Sequence, residues 1–239
     1  MLTTLETDCL DVSMTDFTLA AAQSLSIAGD VPANIERHLV FMRAAAEQGV
    51  QLLVFPELSL TGYEPSLAAQ LAINPHDESL APLRQMAREL QLTAVVGMPI
   101  RLTPEAGVMI GALVLGADGS LEVYTKQHLH DGEEVAFVPG QGGAALELGG
   151  ERIALAVCAD FSHASHPRAA AQAGASVYAA AVLISENGYA TDSAKLQAYA
   201  AEHGLLVLMA NHGGPSGGWA CEPFNCAPRQ TRTCPLRER

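Results

Sequence analysis

Short apolar runs, each about the length of a strand, recur along this chain at 19–22, 52–55, 94–99, 109–115, 121–125, 153–158, 177–184 and 205–210. Segments with helical spacing lie between several of them. Over 32–48, Ile35, Leu39, Met42 and Ala46 repeat at three and four residues, with Pro32 suited to a first turn and Gly49 to the exit. The stretches 77–90, 165–173 before Gly174, and 192–203 before Gly204 read the same way. Asp118-Gly119 predicts a tight turn between the runs at 109–115 and 121–125. Strand, helix, strand, hairpin, then strand, helix, strand predicts α/β layers with a mixed sheet.

Composition narrows the function classes. With 49% hydrophobic residues in a chain of 239, there is enough apolar material for a core, and disorder is excluded as the main state. Asp and Glu outnumber Lys and Arg by 26 to 13, and a net charge of -13 repels a phosphate backbone, so no nucleic-acid partner is expected. No apolar run reaches the roughly 18–20 residues needed to span a bilayer, and the first sixteen residues are acidic where a signal peptide is basic and then apolar. The expectation is a cytoplasmic protein with no membrane partner. Cys9 and Cys158 stand alone, while Cys221, Cys226 and Cys234 cluster near the C-terminus, an odd set that fits a reducing compartment better than a disulfide framework.

Ionisable residues that end apolar strands are the places to look for chemistry, since the sheet fixes the backbone while the loop presents the side chain. Glu57 follows Leu53-Val54-Phe55-Pro56, Lys126 ends Leu121-Glu122-Val123-Tyr124-Thr125, and Cys158 ends Ile153-Ala154-Leu155-Ala156-Val157. Each alone has an ordinary reading: a solvated loop acid, an edge lysine, a small buried hydrophobe.

Taken together the three resemble the nitrilase superfamily of carbon-nitrogen hydrolases, whose hallmark is a Glu, a Lys and a Cys from separate strand ends. The matching blocks are Phe55-Pro56-Glu57-Leu58-Ser59-Leu60-Thr61-Gly62-Tyr63, Tyr124-Thr125-Lys126-Gln127-His128-Leu129 with the later Phe137-Val138-Pro139-Gly140, and Val157-Cys158-Ala159-Asp160. Ala210-Asn211 is a fourth match, and the set runs in family order over most of the chain. The resemblance implies a four-layer α-β-β-α sandwich of two mixed sheets.

It also implies roles. Cys158 is the nucleophile, because amide and nitrile carbons are poor electrophiles and a thiolate is easier to form than an alkoxide. Glu57 is the general base and acid. Lys126 stabilises the developing oxyanion, with the Ala159 backbone N–H as second donor, and its cation is expected to favour the Cys158 thiolate. A second glutamate four residues before Phe137 is Glu133; Glu134 is its neighbour, and a one-residue loop shift exchanges them. Tyr63, His130, Phe161, Ser185 and Ala159 are the candidate pocket residues.

The implied activity is hydrolysis of a small amide through a Cys158 thioester with release of ammonia; a nitrile or N-carbamoyl substrate is the alternative within the family. Readings of another class are a non-catalytic or destabilised truncated homologue serving as an interaction module, and a glutaminase subunit feeding a synthetase. No metal or organic cofactor is expected. His128, His130, His163 and His166, with Asp131 and Cys158, lack a zinc spacing, and Cys221, Cys226 and Cys234 lack a Cys-x-x-Cys knuckle. The segment 213–218 is glycine-rich without a phosphate-loop lysine.

The expected organisation is an N-terminal arm over 1–16, a hydrolase domain over 17–220, and an irregular tail over 221–239. The resemblance stops after Trp219. The tail carries four of the thirteen basic residues, shows no strand or helix period, and reads either as disordered or as translated in a shifted frame. Without the terminal hairpin of the family a sheet edge is left open, and the surface of the implied homodimer is reduced.

Overall fold

The structure is a computed structural model that describes residues 17–219 and 236–237. Its strands are β1 (Leu19–Gln23), β2 (Leu52–Val54), β3 (Thr93–Ile100), β4 (Met109–Leu115), β5 (Leu121–Thr125), β6 (Leu146–Leu148), β7 (Glu151–Val157), β8 (Val177–Val182), β9 (Leu206–Asn211) and β10 (Leu236–Arg237). The helices are α1 (Val31–Ala46), α2 (Ala68–Leu71), α3 (Ala81–Glu89), α4 (Ser165–Gln172) and α5 (Glu186–His203).

The strands form two mixed sheets, ordered β10-β1-β2-β3-β4-β5 and β6-β7-β8-β9. Most of these strands are apolar on both faces because both faces are covered. Leu19, Leu52, Val54, Ile110 and Val114 of the first sheet meet Ile153, Leu155, Val177 and Leu208 of the second in one buried cluster. The alternate residues point outward. Leu53, Ala94, Val96 and Leu113 pack under Ile35, Leu39 and Met42 of α1 and Leu83 and Ala87 of α3. Tyr178, Ala180, Val207 and Met209 pack under Leu196 and Tyr199 of α5. This is the α-β-β-α sandwich that the resemblance implies.

Local chemistry sets the element ends. Asp30 caps α1 by accepting the Ala33 N–H at 3.1 Å, and Gly204 closes α5 in the left-handed region at φ 66°. Several boundaries differ from the sequence reading. The helix expected over 77–90 begins as a tight turn, Glu78–Leu80, before α3. Helix α5 starts at Glu186 rather than at 192, and the short strand β6 has no periodicity to announce it. Within the tail, Leu236 and Arg237 pair in parallel with Ala22 and Gln23 along the edge of β1. The rest of the tail, the arm over 1–16, and Cys9, Cys221, Cys226 and Cys234 lie outside the described residues.

Two antiparallel pairings, β3 with β4 and β4 with β5, bring β5 back to the direction of β2 and β3. The carboxyl ends of β2 and β5 therefore open at the same end of the first sheet, and the turn after β2 folds back over β3. Gly97 makes room for it, since a Cβ at that position would meet the Leu58 nitrogen at 2.3 Å and the Pro56 oxygen at 2.7 Å. The Gly97 N–H donates to Ser59 Oγ at 3.1 Å, and Leu60 N–H donates to the Gly97 carbonyl at 2.9 Å. Gly97→Ala is expected to lower the thermal unfolding midpoint by several degrees, on the scale of about 1–3 kcal/mol for overpacking, and to displace residue 57; a variant with wild-type stability and turnover would show that the approach is not tight.

Candidate active site

Glu57, Lys126, Glu133 and Cys158 converge at the carboxyl ends of the strands. Lys126 leaves β5 with its side chain fully buried, and its Nζ donates to Glu57 Oε1 at 2.7 Å. The same ammonium lies 2.8 Å from both oxygens of Glu133. Glu133 opens the short turn Glu133–Val135, is 2% exposed, and also accepts from Tyr63 Oη at 2.7 Å and the His130 N–H at 2.8 Å. Glu134 is exposed and accepts only a local bond, from Gly132 N–H at 2.8 Å. Of the two glutamates left open by the sequence, Glu133 is the one beside Lys126.

Cys158 is half-buried one residue beyond β7, which ends at Val157 rather than at 158, and it opens the turn Cys158–Ser162. Its φ is 42°, and Leu58 beside Glu57 has φ 51°, both in the left-handed region that side chains rarely adopt. Such backbone costs about 1–3 kcal/mol and persists where the surroundings over-determine it. The thiol donates to the Leu183 carbonyl at 3.7 Å, while Glu57 Oε2 is buried without a hydrogen-bond partner among the described residues.

The turns carrying these groups are braced from behind. His38 stacks on Phe55, donates Nδ1–H to the Asn34 carbonyl at 2.7 Å, and accepts from the Ser59 hydroxyl at 2.9 Å. His212 Nε2 donates to the Glu57 carbonyl at 2.7 Å. Burial pushes both imidazoles down to about 4, so they are neutral braces at pH 7. Asp160 joins the Cys158 turn to the Lys126 loop: Oδ1 accepts from the N–H groups of Gln127 and His128 at 3.0 and 2.9 Å, and Oδ2 from Tyr124 Oη and Val157 N–H at 2.7 and 3.0 Å. Asn211 accepts from Ile184 N–H at 2.9 Å and donates to its carbonyl at 3.0 Å, fixing the loop that follows β8.

A cavity of about 310 Å³ opens onto the group. Every expected pocket residue, Tyr63, His130, Ala159, Phe161 and Ser185, lines it together with Glu57, Glu133 and Cys158. Ile184, Gly188, Asp192 and Trp219 line it too, and no sequence motif singled them out for this place. Lys126 does not line the cavity; it lies behind the two carboxylates. Of the histidines weighed as metal ligands, His128 stacks on His163 with centroids 3.9 Å apart and meets His166 edge-on at 6.1 Å, and His166 bonds to Tyr124, Gln127 and Tyr178.

Electrostatics follows from burial. Desolvation raises Glu57 to about 7 against the attraction of Lys126, with the charge of Glu133 adding to the rise. Burial would lower Lys126, but Glu57, Cys158 and Glu133 carry it well above the usual lysine range. The Cys158 thiol is pushed up by burial and by Glu57, and Lys126 only partly opposes this. Burial, the largest influence, thus works against the expected resting thiolate, while the Lys126 cation itself favours it.

The carbon-nitrogen hydrolase family model matches residues 18–223, a few residues past Trp219, and the chain belongs to that family. It is a hydrolase of carbon-nitrogen bonds. Over 210 residues it is 28% identical to an (R)-stereoselective amidase of a Pseudomonas species, covering 82% of this chain and 74% of that enzyme. It is also 28% identical over 161 residues to a glutamine-dependent NAD(+) synthetase of Thermotoga maritima, covering 65% of this chain but 27% of the synthetase. Among solved structures, a cysteine-to-serine variant of the Nesterenkonia AN1 amidase from the nitrilase superfamily superposes with a TM-score of 0.80 at 30% identity, over 90% of this chain and 85% of that one. Variants of that amidase have been solved in complex with acrylamide and with butyramide.

The buried charges make a stability prediction. Glu57 holds its proton more readily folded than unfolded, so its contribution is present below its ordinary 4.5 and is lost as pH rises through about 7. Lys126→Met removes the compensating ammonium, and the unfolding midpoint is expected to fall more steeply between about pH 5 and about pH 8 than in wild type. Parallel pH profiles for the two proteins would show that Lys126 does not compensate the carboxylates.

Proposed function

We propose that this chain hydrolyses short amides, with Cys158 as nucleophile, Glu57 as general base and acid, and Lys126 and Ala159 stabilising charge. The observation that carries the reading is the unpartnered Glu57 Oε2, buried against a cavity that Cys158 also lines. As Sγ attacks the amide carbon, its proton passes to Glu57 Oε2 and the carbonyl π pair moves onto oxygen. Ala159 lines the cavity and its N–H is assigned as the second donor, while the Lys126 charge acts from behind the carboxylates. Collapse of the tetrahedral species breaks the C–N bond, Glu57 returns its proton to the nitrogen, and ammonia leaves a Cys158 thioester. Water then gives a proton to Glu57, attacks the thioester carbon, and releases the acid as the sulfur takes the proton back.

Glu133 holds Lys126 through both oxygens and Tyr63 through one, which fixes the ammonium for all four steps. Small amides are favoured by a cavity of about 310 Å³ and by the acrylamide and butyramide bound to the Nesterenkonia amidase variants.

The test is ammonia release from acetamide, acrylamide and butyramide, with butyronitrile as the competing substrate and intact mass spectrometry to detect an acyl-enzyme. Turnover of an amide is expected, with the acyl adduct and turnover lost together in Cys158→Ala and with Glu57→Gln at least about a thousandfold slower. A folded Cys158→Ala protein that still releases ammonia would sink the mechanism.

The pH dependence follows from the required protonation state. Because Glu57 must be ionised to accept the thiol proton, kcat/KM is expected to rise with pH to a midpoint near 7. A profile already flat at pH 5 would assign the base elsewhere.

A further inference from the structure

The wall of the cavity carries charge that the hydrolytic steps do not use. Asp192, on α5, lines it beside Gly188, and Asp192 Oδ2 lies 3.4 Å from where a Gly188 Cβ would stand. The absent side chain leaves that carboxylate facing the open space. Tyr63, Phe161 and Trp219 supply aromatic rings around it, and the lining includes neither lysine nor arginine.

The nearby cations are already engaged. Lys126 lies between Glu57 and Glu133, and Lys195 lies outside the lining with its Nζ 3.3 Å from Asp192 Oδ1 and 5.6 Å from the Phe161 ring centroid. His130 donates Nδ1–H to the Asp131 carbonyl at 3.1 Å. Three carboxylates, those of Glu57, Glu133 and Asp192, line the cavity, while the two ammonium groups bonded to them lie outside the lining. A carboxylate on a substrate meets repulsion and no guanidinium or ammonium fork; an ammonium meets a carboxylate and aromatic faces.

We infer that the cavity selects amides that carry an ammonium group over amides that carry a carboxylate, and that Asp192 sets this preference. The inference rests on the cavity being the hydrolytic site, as proposed above. It sets this chain apart from glutamine or carbamoyl amino acid hydrolysis, whose substrates bring a carboxylate with them.

Three amides of matched length test it: 4-aminobutanamide, pentanamide and succinamate. In wild type, kcat/KM is expected to fall in that order, with the cationic amide at least about tenfold ahead of the anionic one. Asp192→Asn is expected to reduce that ratio by about tenfold, and Asp192→Glu to restore most of it. Binding of the same amides to Cys158→Ala protein, read by calorimetry, gives the order without turnover. If wild type releases ammonia from none of them, the hydrolytic reading fails while the binding order still decides the preference. Succinamate binding or reacting as well as 4-aminobutanamide overturns the inference, and so does a ratio unmoved in folded Asp192→Asn.

Discussion

The Lys126 ammonium held between Glu57 and Glu133 is the interaction on which the rest of the site depends. Taking an ammonium and two carboxylates out of water costs several kcal/mol per ion, and only close contact returns it. The 2.7 and 2.8 Å bonds supply that contact, so the end of β2, the end of β5 and the Glu133–Val135 turn cannot drift apart without exposing uncompensated charge. Lys126 thus acts as a positional clamp as much as a charge. It engages one Glu57 oxygen and leaves the other without a hydrogen-bond partner among the described residues, and proton transfer needs such an oxygen.

The two sheets divide the labour. The first delivers the carboxylates and the ammonium, the second delivers the thiol, and an apolar layer between them gives the polar groups no competing solvent. Asp160 is the strap across the division: its buried carboxylate accepts main-chain donors from the Lys126 loop and from the Cys158 turn. Leu58 and Cys158 sit at positive φ on either side, in turns held by bonds made elsewhere. The site is assembled by long-range contacts, so its geometry and the stability of the fold rise and fall together.

What was legible in the sequence reflects where information is local. Glu57, Lys126 and Cys158 stood out because an ionisable residue ending an apolar run is visible within a dozen positions, and the same runs disclosed most of the strands. Glu133 came from counting back from Phe137, but only its burial beside Lys126 separates it from Glu134. The brace His38 and the pocket residues Asp192 and Trp219 lie outside the motifs in sequence and are joined to them by folding, and His212, next to Asn211, reaches Glu57 only through the fold. The pairing of Leu236 and Arg237 with β1 was hidden for the same reason, since two residues have no period. The burial that raises the thiol is not legible in the sequence, because charge signs can be read from a sequence whereas desolvation cannot.

That burial bears on how the proposed nucleophile works. Burial pushes the Cys158 thiol up and the Glu57 carboxyl up to about 7, which disfavours a bare thiolate and makes the carboxylate a better proton acceptor. In the proposed mechanism the balance shifts when a carbonyl carbon is within reach, because formation of the S–C bond moves the negative charge off sulfur and onto oxygen. Deprotonation and attack are then one event, driven by the substrate that consumes the charge. A resting thiolate would react with any soft electrophile or oxidant entering the cavity. In the mechanism proposed above, burial of the thiol thereby disfavours a free thiolate before an acyl group is present.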